Sequence, residues 1–339
     1  MTGPLISIIV VAYNCEKYVI KALDSILSQD LDSLELIVIN NASTDKTGEI
    51  LRNCRDPRLI LIENPVNEGP QAANLGLPAA RGKYIARLDA DDIALPGRLR
   101  AQYDYMEAHP EIALCGSEYE MIHEDGSVFS RSHSLYDPFE IRWKLGWANF
   151  IGHSTIMMRK PVMEKLGGYN SSLWCCEDYD LLSRISWDHK MAVLPKILVQ
   201  YRVYSNSISH TRREEMAKNY RDVSFQHLQH ILGKNLSSQV GETAVDIMRM
   251  HACRTPDQVS EALALIVDYT RICVRESPTQ QGNSIRNFTA KHLVQYGRRF
   301  AKDGFFPRYP FERAAIKLDP GQLVKRGLAL VVGGSPRPT

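Results

Sequence analysis

The sequence predicts an α/β protein with a doubly wound, Rossmann-like and mainly parallel sheet flanked by helices, followed by an all-helical C-terminal extension. Three observations support this prediction. Strand and helix patterns alternate over residues 1–110, the strand segments are unbroken apolar runs rich in Val and Ile, and from about residue 212 only helical periodicity remains. Unbroken apolar strands are typical of parallel sheets that helices cover on both faces.

The composition is that of a folded globular chain. Of 339 residues, 44% are hydrophobic, 24% are charged and 8% are aromatic. These fractions exclude disordered, collagen-like and coiled-coil chains. The length allows about two domains at roughly 150 residues each, and we place one over residues 1–210 and the other over residues 211–339.

Four strands are predicted in the first 110 residues. They cover residues 5–12, 34–39, 59–63 and 84–88. The segments between them, residues 14–28, 44–54 and 71–80, place apolar side chains at helical spacing. Ligands of such sheets bind beyond the carboxyl ends of the strands. The loops that follow these strands are therefore the candidates for function.

Residues 111–210 are predicted as mixed strands and helices. A helix is predicted over residues 96–109, just before this part of the chain. The helices within it cover residues 138–147 behind an Asp137 cap, 161–166 before Gly167-Gly168, and 179–187. The strands cover residues 112–117, 119–123, 154–158 and 192–203, with a hairpin turn at 124–126. This change of pattern divides the first domain into halves at residues 1–110 and 111–210.

The extension is predicted as a series of helices. They cover residues 213–232, about 255–275 behind a capping box at Thr255, 284–302 and 322–332. A polar linker at 277–283 and an aromatic, Pro-rich segment at 305–311 separate the later helices.

Charge is unevenly distributed along the chain. The net charge is +2, which does not favour a nucleic-acid partner, but residues 277–339 hold 11 Lys and Arg against 3 Asp and Glu, a net +8. Basic residues interleaved with Phe and Tyr on short helices favour an anionic membrane surface. The alternatives are a packed helical face with a solvated basic side, or a dimer contact.

Cysteine usage and hydropathy predict a cytoplasmic protein. The seven cysteines include no CxxC pair, which makes a zinc ribbon or a thioredoxin-type site improbable on spacing. Their odd number, without a signal-peptide pattern, favours reduced thiols. No run of 18 apolar residues occurs, so we expect any membrane contact to be peripheral, at the inner face of the plasma membrane.

Three carboxylates follow the fourth predicted strand, in the order Asp89-Ala90-Asp91-Asp92. Such a cluster repels itself unless a divalent cation neutralises it, and Mn²⁺ or Mg²⁺ binds one or two carboxylates together with phosphate oxygens. The alternative is that the cluster caps the next helix, since acidic residues stabilise helix N-termini.

Further short motifs occur in a fixed order around this cluster. They are Ala12-Tyr13-Asn14, Asn40-Asn41-Ala42-Ser43, Asn67-Glu68-Gly69, Asn74-Leu75-Gly76, Asp89-Ala90-Asp91, Gly152-His153-Ser154, Gly167-Gly168-Tyr169 and Glu177-Asp178. Each alone is weak. The ordered set, over roughly residues 5–205, resembles glycosyltransferase family 2, the inverting nucleotide-sugar enzymes of GT-A fold.

This resemblance implies an activity and a site. Residues 1–110 would bind a nucleoside-diphosphate sugar and residues 111–210 a glycan or lipid-linked acceptor, in bacterial surface polysaccharide biosynthesis. Asp91, with Asp89, would hold Mn²⁺ or Mg²⁺, and Asp178 would be the catalytic base with Glu177 as its fallback. Residues implied to contact the donor are Ala12, Tyr13, Asn14, Glu16, Asn40, Ala42, Gly69, Asn74, Asp89 and Ala90; those implied to contact the acceptor are His153, Trp174 and Glu177.

The pair Glu177-Asp178 also marks a helix start. Both interpretations hold together, because an N-terminal position in a helix favours an ionised carboxylate, which a base requires.

The chain departs from the family pattern at three positions. Asn40 stands where the family usually has an Asp that accepts from uracil, so UDP or dTDP is favoured while guanine stays open. Ala73 replaces a frequent Arg, so phosphate contacts would fall to Arg81, Lys83 or Arg87. Tyr204 replaces the His of a Tyr-Arg-x-His element.

Two other functions stay open on the sequence. A nucleotidyltransferase on a similar sheet would favour a Gly-rich loop with Arg and Lys after the first strand, which residues 12–17 do not supply. A non-catalytic protein that binds sugar nucleotides is disfavoured by the presence of Asp89, Asp91 and Asp178.

Overall fold

A computed structural model describes residues 3–133, 137–204, 211–251, 258–275, 277–301 and 309–319. The chain divides into two compact units, one ending at Ser224 and the other beginning at Phe225.

The first unit is built on one mixed sheet. In the described part of the chain, nine strands form it in the order β3-β2-β1-β4-β8-β6-β9-β5, with β7 beside β6. The strands are β1 Ile6–Ala12, β2 Leu34–Asn41, β3 Leu59–Asn64, β4 Tyr84–Arg87, β5 Ile93–Ala94, β6 Ile112–Ile122, β7 Val128–Arg131, β8 Met157–Arg159 and β9 Lys190–Arg202. The first four strands are parallel as predicted, and β8 runs antiparallel to both β4 and β6.

The register brings the predicted functional loops to one edge. Ala12 at the end of β1 pairs with Asn40 of β2. Arg87, the last residue of β4, pairs with Ile9, three residues before β1 ends. The acidic residues that follow β4 are therefore level with the end of β1.

Helices cover both faces of this sheet. They are α1 Val19–Leu27, α2 Thr47–Asn53, α3 Arg98–Ala108, α4 Pro138–Leu145, α5 Lys160–Lys165 and α6 Glu177–Asp188. Alternate residues of β1 pack into different apolar clusters, with Ile8 on one face and Ile9 on the other. Both faces are thus buried, as the unbroken apolar strand predicts.

Several elements differ from the prediction. The strand predicted at 154–158 begins as a 3₁₀ helix at His153–Thr155 and is a strand only over Met157–Arg159. The segment Pro70–Ala79 is a 3₁₀ helix with Pro78 inside it, a position at which the proline ring would clash with the carbonyl four residues earlier in an α-helix. The strands predicted at 112–117 and 119–123 are one strand, β6, whose register with β9 shifts on both sides of Glu118. The predicted break therefore coincides with an irregularity inside a continuous strand.

Two local predictions are confirmed. The side chain of Asp137 accepts from the backbone N–H groups of Phe139 and Glu140 and caps α4. The turn at 124–126 joins β6 to β7 as an antiparallel hairpin.

The second unit is helical. Helix α7 Arg213–Leu232 begins in the first unit, and α8 Ser238–Met248, α9 Val259–Arg275, α10 Thr279–Ala301 and α11 Tyr309–Leu318 follow. The predicted polar linker at 277–283 is wrong from Thr279 onward, where α10 has already begun behind Pro278. Neither α8 nor α11 was predicted as a helix. The capping box around Thr255, most of the segment 305–311 and the helix predicted at 322–332 lie outside the described residues.

The apolar face of α10 packs within this unit. Ile285, Leu293 and Tyr296 are buried, whereas Phe288 is half exposed. No helix in the described ranges is both long and apolar enough to cross a membrane. The six cysteines in these ranges are free thiols.

Candidate active site

The loops after β1 and β2 are bound to each other. The Asn14 side chain accepts from the Thr44 N–H at 2.8 Å, and the Glu16 carboxylate accepts from the Lys46 N–H at 2.8 Å. In return, the Glu16 N–H donates to Asp45 at 3.1 Å. The first two predicted donor loops thus form one surface.

The backbone shapes that surface. Asn14 and Ala42 both adopt positive φ, 47° and 60°, a left-handed conformation that Asn tolerates better than Ala. Tyr13 lies beside Asn14 with 45% of its side chain exposed. An aromatic ring is therefore presented to solvent at the carboxyl end of β1.

Asn40 and Asn41 have both ends of their amides engaged. Asn40 donates to Glu63 at 2.6 Å and accepts from the Ser43 N–H at 3.3 Å. Asn41 donates to the Gly69 carbonyl at 3.0 Å and accepts from the Glu68 N–H at 3.2 Å. Asn40 is thus held by Glu63, which the sequence did not single out, and Asn41 fixes the loop before Gly69.

Gly69 lies against Trp174. Its φ is +74°, and an added Cβ would lie 3.0 Å from the indole, so a glycine is needed there. The Arg212 guanidinium lies 4.6 Å from the indole centroid. Trp174 is thus contacted by protein groups, and its predicted role in acceptor binding stays a prediction.

Asn74 links the 3₁₀ helix to the Gly167-Gly168-Tyr169 turn. Its side chain donates to the Tyr169 carbonyl and accepts from the Tyr169 N–H, both at 2.9 Å. Both amide ends are used by the protein. The structure places Asn74 as a support for Tyr169, and its predicted donor contact stays a prediction.

The buried side chain of Arg87 donates a hydrogen bond to the acidic cluster. It is 1% exposed and donates to Asp89 at 2.9 Å and to the Ile9 carbonyl at 2.7 Å. Its backbone carbonyl accepts from buried Arg98 at 2.6 Å. The cluster therefore lies near two buried guanidinium groups.

The other two basic residues predicted near the phosphates lie elsewhere. Arg81 and Lys83 precede β4 and so lie at the amino ends of the parallel strands, whereas the acidic cluster lies at their carboxyl ends. Arg81 pairs with Glu35 at 2.6 Å and Lys83 with Glu107 at 2.5 Å. The expectation that they contact a phosphate at the site is wrong, because it took distance along the sequence for distance in space.

Asp92 joins the acidic cluster to β9 and to the loop before β8. It is 1% exposed, accepts from the Arg202 N–H at 2.7 Å and accepts from the Ser154 hydroxyl at 2.5 Å. It does not cap α3, whose N-cap residue is Gly97. The alternative of a helix cap is therefore wrong for Asp92.

Asp91 is half-buried and accepts a hydrogen bond from Tyr204. Burial and the neighbouring Asp89 charge raise its pKa to about 6, since both disfavour a carboxylate. The side chain that replaces the family's His thus contacts the predicted metal ligand.

The donor set fits a divalent cation that is held partly by a substrate. No group of three His, Cys, Asp or Glu in the described ranges is arranged to hold a metal ion. Asp91 and Asp89 supply two carboxylates, and Mn²⁺ or Mg²⁺ typically takes one or two protein carboxylates and completes its shell with phosphate and water.

His153 lies between the acidic cluster and the pair Glu177-Asp178. Its Nδ1 is 3.9 Å from Asp89 and 3.7 Å from Glu177. Its Nε2 is 3.3 Å from Arg87 Nε, which only donates, and 2.8 Å from the Tyr169 hydroxyl. Nε2 is therefore the acceptor, and the proton is assigned to Nδ1, which faces the carboxylates.

The charge state of His153 follows from this position. Burial and the Arg87 guanidinium lower its pKa to about 3, so the ring is neutral. The side chain is 8% exposed. Its predicted contact with the acceptor stays a prediction.

The two residues that begin α6 differ in burial. Glu177 is 5% exposed, and burial together with the Asp178 charge raises its pKa well above the ordinary range. Asp178 is half-buried, and burial raises its pKa to about 6. The helix N-terminus was expected to favour ionisation of Asp178, but desolvation outweighs the hydrogen bond from the Tyr179 N–H.

Sequence reasoning missed a residue that holds Asp178. The Asn149 amide donates to Asp178 Oδ2 at 2.8 Å. The Tyr220 hydroxyl accepts from the Asn149 N–H at 2.5 Å and donates to its carbonyl at 3.1 Å. No sequence signal identifies Asn149, because it lies in a loop without a motif and its anchor is 71 residues away.

The chain is similar to known glycosyltransferases. A family model described as glycosyl transferase family 2 matches residues 7–167. An uncharacterized glycosyltransferase of Haemophilus influenzae is 33% identical over 243 residues, which cover 68% of this chain and 75% of that protein. The O-antigen biosynthesis glycosyltransferase WbnJ of Escherichia coli is 31% identical over 219 residues, which cover 60% of this chain and 81% of that protein.

Two solved structures share the fold. TarS 1–349 of S. aureus, in complex with UDP-GlcNAc, matches with a TM-score of 0.58 at 17% identity, covering 93% of this chain and 92% of that one. The mannosyltransferase PcManGT of Pyrobaculum calidifontis, in complex with GDP-Man and Mn²⁺, matches with a TM-score of 0.51 at 17% identity, covering 96% and 88%. The predicted GT-A fold with a helical C-terminal region is confirmed.

Proposed function

The chain belongs to glycosyltransferase family 2, and on that premise we propose that it moves a sugar from a nucleoside-diphosphate sugar to a hydroxyl of a glycan or lipid-linked acceptor. The transfer is a single, metal-assisted displacement that inverts the anomeric centre. The relative WbnJ, which is named for O-antigen biosynthesis, supports a role in bacterial surface polysaccharide synthesis.

One observation carries the proposal. The neutral ring of His153 lies within 4 Å of both Asp89 and Glu177, so the carboxylates proposed for the metal and those proposed for the base border one site. A single displacement needs the cation on the side of the leaving diphosphate and the base on the opposite side of the anomeric carbon, where the acceptor hydroxyl attacks.

Asp178 is the proposed base. A hydroxyl has a pKa far above neutrality, so its attack is aided by a carboxylate that takes its proton, which is worth roughly 10²–10⁴-fold in rate. With a pKa raised to about 6, Asp178 is mostly ionised at pH 7 and more basic than an ordinary carboxylate. Glu177 is more deeply buried, and burial with the neighbouring Asp178 charge raises its pKa well above the usual range, which disfavours its ionised form and makes it the weaker candidate.

Asp91, with Asp89, is the proposed holder of the cation. When bound, Mn²⁺ or Mg²⁺ would stabilise as a Lewis acid the negative charge that builds on the leaving diphosphate. Arg87 fixes Asp89, and Tyr204 and the Arg202 backbone fix the residues beside it. The chain thus orients its carboxylates before a substrate arrives.

The donor loops are proposed to bind the nucleotide. Tyr13 offers an exposed ring beside Asn14, and Asn14 and Glu16 bind the loop after β1 to the loop after β2. UDP or dTDP is the proposed nucleotide. Because Glu63 already engages Asn40, a GDP-sugar is the alternative to include in any test.

A donor screen tests the proposal. The full chain is incubated with UDP-, dTDP- and GDP-sugars, with Mn²⁺ or with chelator, and the melting temperature and the release of nucleotide are measured. We expect one nucleotide class to raise the melting temperature by mass action and to be hydrolysed slowly with Mn²⁺. Binding without hydrolysis or transfer to any acceptor would favour a non-catalytic protein. Formation of a nucleoside triphosphate and a sugar 1-phosphate from the donor after pyrophosphate is added would favour a nucleotidyltransferase.

Residues 277–339 are proposed to bind an anionic membrane surface. On α10, Lys291, Arg298 and Arg299 are exposed, as is half of Phe288. Each basic residue near an anionic leaflet contributes on the order of 1 kcal/mol, and salt screens this contribution. The buried face of α10 makes truncation at residue 276 a poor test, because it would expose the apolar face of α9.

A charge-reversal variant tests the membrane proposal instead. Lys291, Arg298 and Arg299 are changed to Glu, and a control carries the same changes at exposed Lys21, Lys165 and Lys196 of the first unit. Co-sedimentation with anionic vesicles at low and high salt is measured. We expect salt-sensitive binding that the first variant loses and the control keeps. Full-length protein that ignores the vesicles at low salt would contradict the proposal.

A further inference from the structure

Two tyrosines outside the family motifs form an aromatic pair. Tyr119 lies on β6 and Tyr201 on β9, and their ring centroids are 5.9 Å apart with the planes inclined at 62°. The two strands run parallel, and Tyr201 pairs with Met121, two residues beyond Tyr119. Both side chains are half-buried.

The pair lies beside both parts of the candidate active site. A Cβ on Gly152 would lie 3.1 Å from the Tyr119 ring, so this ring contacts the residue immediately before His153. Three residues before Gly152, Asn149 holds Asp178. Tyr201 immediately precedes Arg202, whose N–H donates to Asp92.

Electrostatics agree with this placement. Burial raises the pKa of both phenols, and the negative charges of Asp92 and Asp178 raise them further. The rings therefore lie within the field of the acidic cluster and of the proposed base together, and both hydroxyls stay neutral.

The hydroxyls of this pair differ from those of neighbouring tyrosines. Tyr169, Tyr179 and Tyr220 all use their hydroxyls in hydrogen bonds to protein groups. Within the described residues, the hydroxyls of Tyr119 and Tyr201 have no protein partner, and neither is sealed from solvent. Two rigid rings with free hydroxyls thus face solvent beside the site.

We propose that Tyr119 and Tyr201 form the acceptor subsite and that it takes a pyranose ring. This inference rests on the proposed glycosyl transfer and adds the class of acceptor. A ring face contacts the apolar C–H face of a pyranose, while a phenol hydroxyl donates to or accepts from the sugar hydroxyls. An acyclic polyol presents no such flat apolar face.

Acceptor kinetics test the subsite. The productive nucleotide sugar is combined with p-nitrophenyl pyranosides or with ribitol and glycerol as acceptors. Transfer is measured for the wild type and for Tyr119→Ala, Tyr201→Ala, Tyr119→Phe and Tyr201→Phe. Donor hydrolysis without acceptor and the nucleotide-induced rise in melting temperature are measured in parallel. Tyr105→Phe on α3 is the control, because Tyr105 contacts His109 away from the site.

We expect the alanine variants to raise the acceptor KM about tenfold or more through loss of the ring contact. The phenylalanine variants, which keep the ring and lose one hydroxyl, should raise it about two- to tenfold. Donor hydrolysis and the nucleotide-induced rise should stay within about twofold of wild type in all variants that fold.

Three results would overturn the inference, and they can be told apart. An unchanged acceptor KM in the alanine variants removes the subsite and leaves the transfer reaction standing. A wild-type preference for ribitol or glycerol over pyranosides removes the pyranose class. A wild type that neither hydrolyses nor transfers from any donor removes the proposed function and this inference with it.

Discussion

The acidic cluster after β4 and the pair Glu177-Asp178 at the start of α6 are both carboxylate sites, but the protein surrounds them differently. Asp89 pairs with buried Arg87, and Asp92 is held by the Arg202 backbone and Ser154. Within the described ranges, Asp178 accepts from the Tyr179 N–H and the Asn149 amide and has no guanidinium partner.

This difference separates two uses of a carboxylate. A residue that holds a cation needs a fixed position and gains from neighbours that tie the loop down. A residue that takes a proton needs a pKa close to the working pH, which burial provides for Asp178. The pKa of Asp91 is raised to a similar value, so the contacts that fix the loop around it, and not its pKa, distinguish the proposed cation holder.

Asp178→Asn tests the base. The substitution is nearly isosteric, and we expect turnover to fall roughly 10²–10⁴-fold while donor binding is kept. Transfer rate and nucleotide-induced melting shift are the measurements. Because burial raises the pKa of Asp178, its stabilising effect is present below the ordinary carboxyl pKa and is lost as the pH rises through about 6. The melting temperature of the variant at pH 7.5 should therefore not fall.

Glu177→Gln is the matched control for that substitution. Because burial disfavours the charged form of Glu177, replacement of its carboxyl by a neutral amide should retain most of the turnover. If Glu177→Gln loses more activity than Asp178→Asn, the assignment of the base to Asp178 is wrong.

Asp91→Asn tests the cation holder. We expect a loss of roughly 10²–10³-fold in Mn²⁺, the size typical for removal of one group that stabilises a developing charge. The Mn²⁺-dependent part of nucleotide binding should disappear as well. Asp89→Asn should lose less, since Asp89 is already paired with Arg87. Equal turnover of Asp91→Asn and wild type, in Mn²⁺ and in chelator alike, would remove the metal from the proposal.

Asn149→Ala tests how the base is held. Wild-type kcat should rise with pH through about 6 and then level off, because Asp178 acts when deprotonated. Loss of the Asn149 hydrogen bond, which lowers this pKa, should move that limb to higher pH and reduce kcat at pH 7 by about 3- to 30-fold through misorientation.

Tyr220→Phe provides the graded counterpart, because it removes only the anchor of Asn149. Its pH limb should move in the same direction by less. A profile that stays unchanged in both variants would show that Asn149 supports the loop and not the base.

Tyr204→Phe should have the smallest effect. The variant loses the hydrogen bond to Asp91 and should raise the Mn²⁺ concentration for half-maximal activity about two- to tenfold at unchanged saturating rate. Tyr204→His, which restores the family residue, should lower it again. No change in Mn²⁺ dependence in either variant would remove Tyr204 from the support of the cluster.

Local pattern was a good guide where one segment decides its own structure. The parallel strands, the Asp137 cap and the hairpin at 124–126 follow from residues close in sequence. Residues 71–80 were predicted as a helix from their apolar spacing. The structure has a 3₁₀ helix over Pro70–Ala79, with Pro78 inside it.

Prediction failed where positions in space depend on contacts between segments that are distant in sequence. Arg81 and Lys83 are only a few residues from the acidic cluster in sequence. They nevertheless lie at the opposite ends of the strands, because β4 separates them from the cluster. Tyr119 and Tyr201 stand 82 residues apart, and only the pairing of β6 with β9 brings their rings together.

Local sequence was enough to establish the fold class, the family resemblance, and the order of carboxylate and loop motifs, because strand periodicity and motif spacing are local properties. Only the three-dimensional arrangement buries Glu177 more deeply than Asp178, brings Asn149 and Tyr220 to Asp178, and lets Asp92 bind β9 rather than cap α3. Those outcomes depend on burial and on contacts between distant segments. Desolvation and hydrogen bonding act through space, and no spacing along the chain records them.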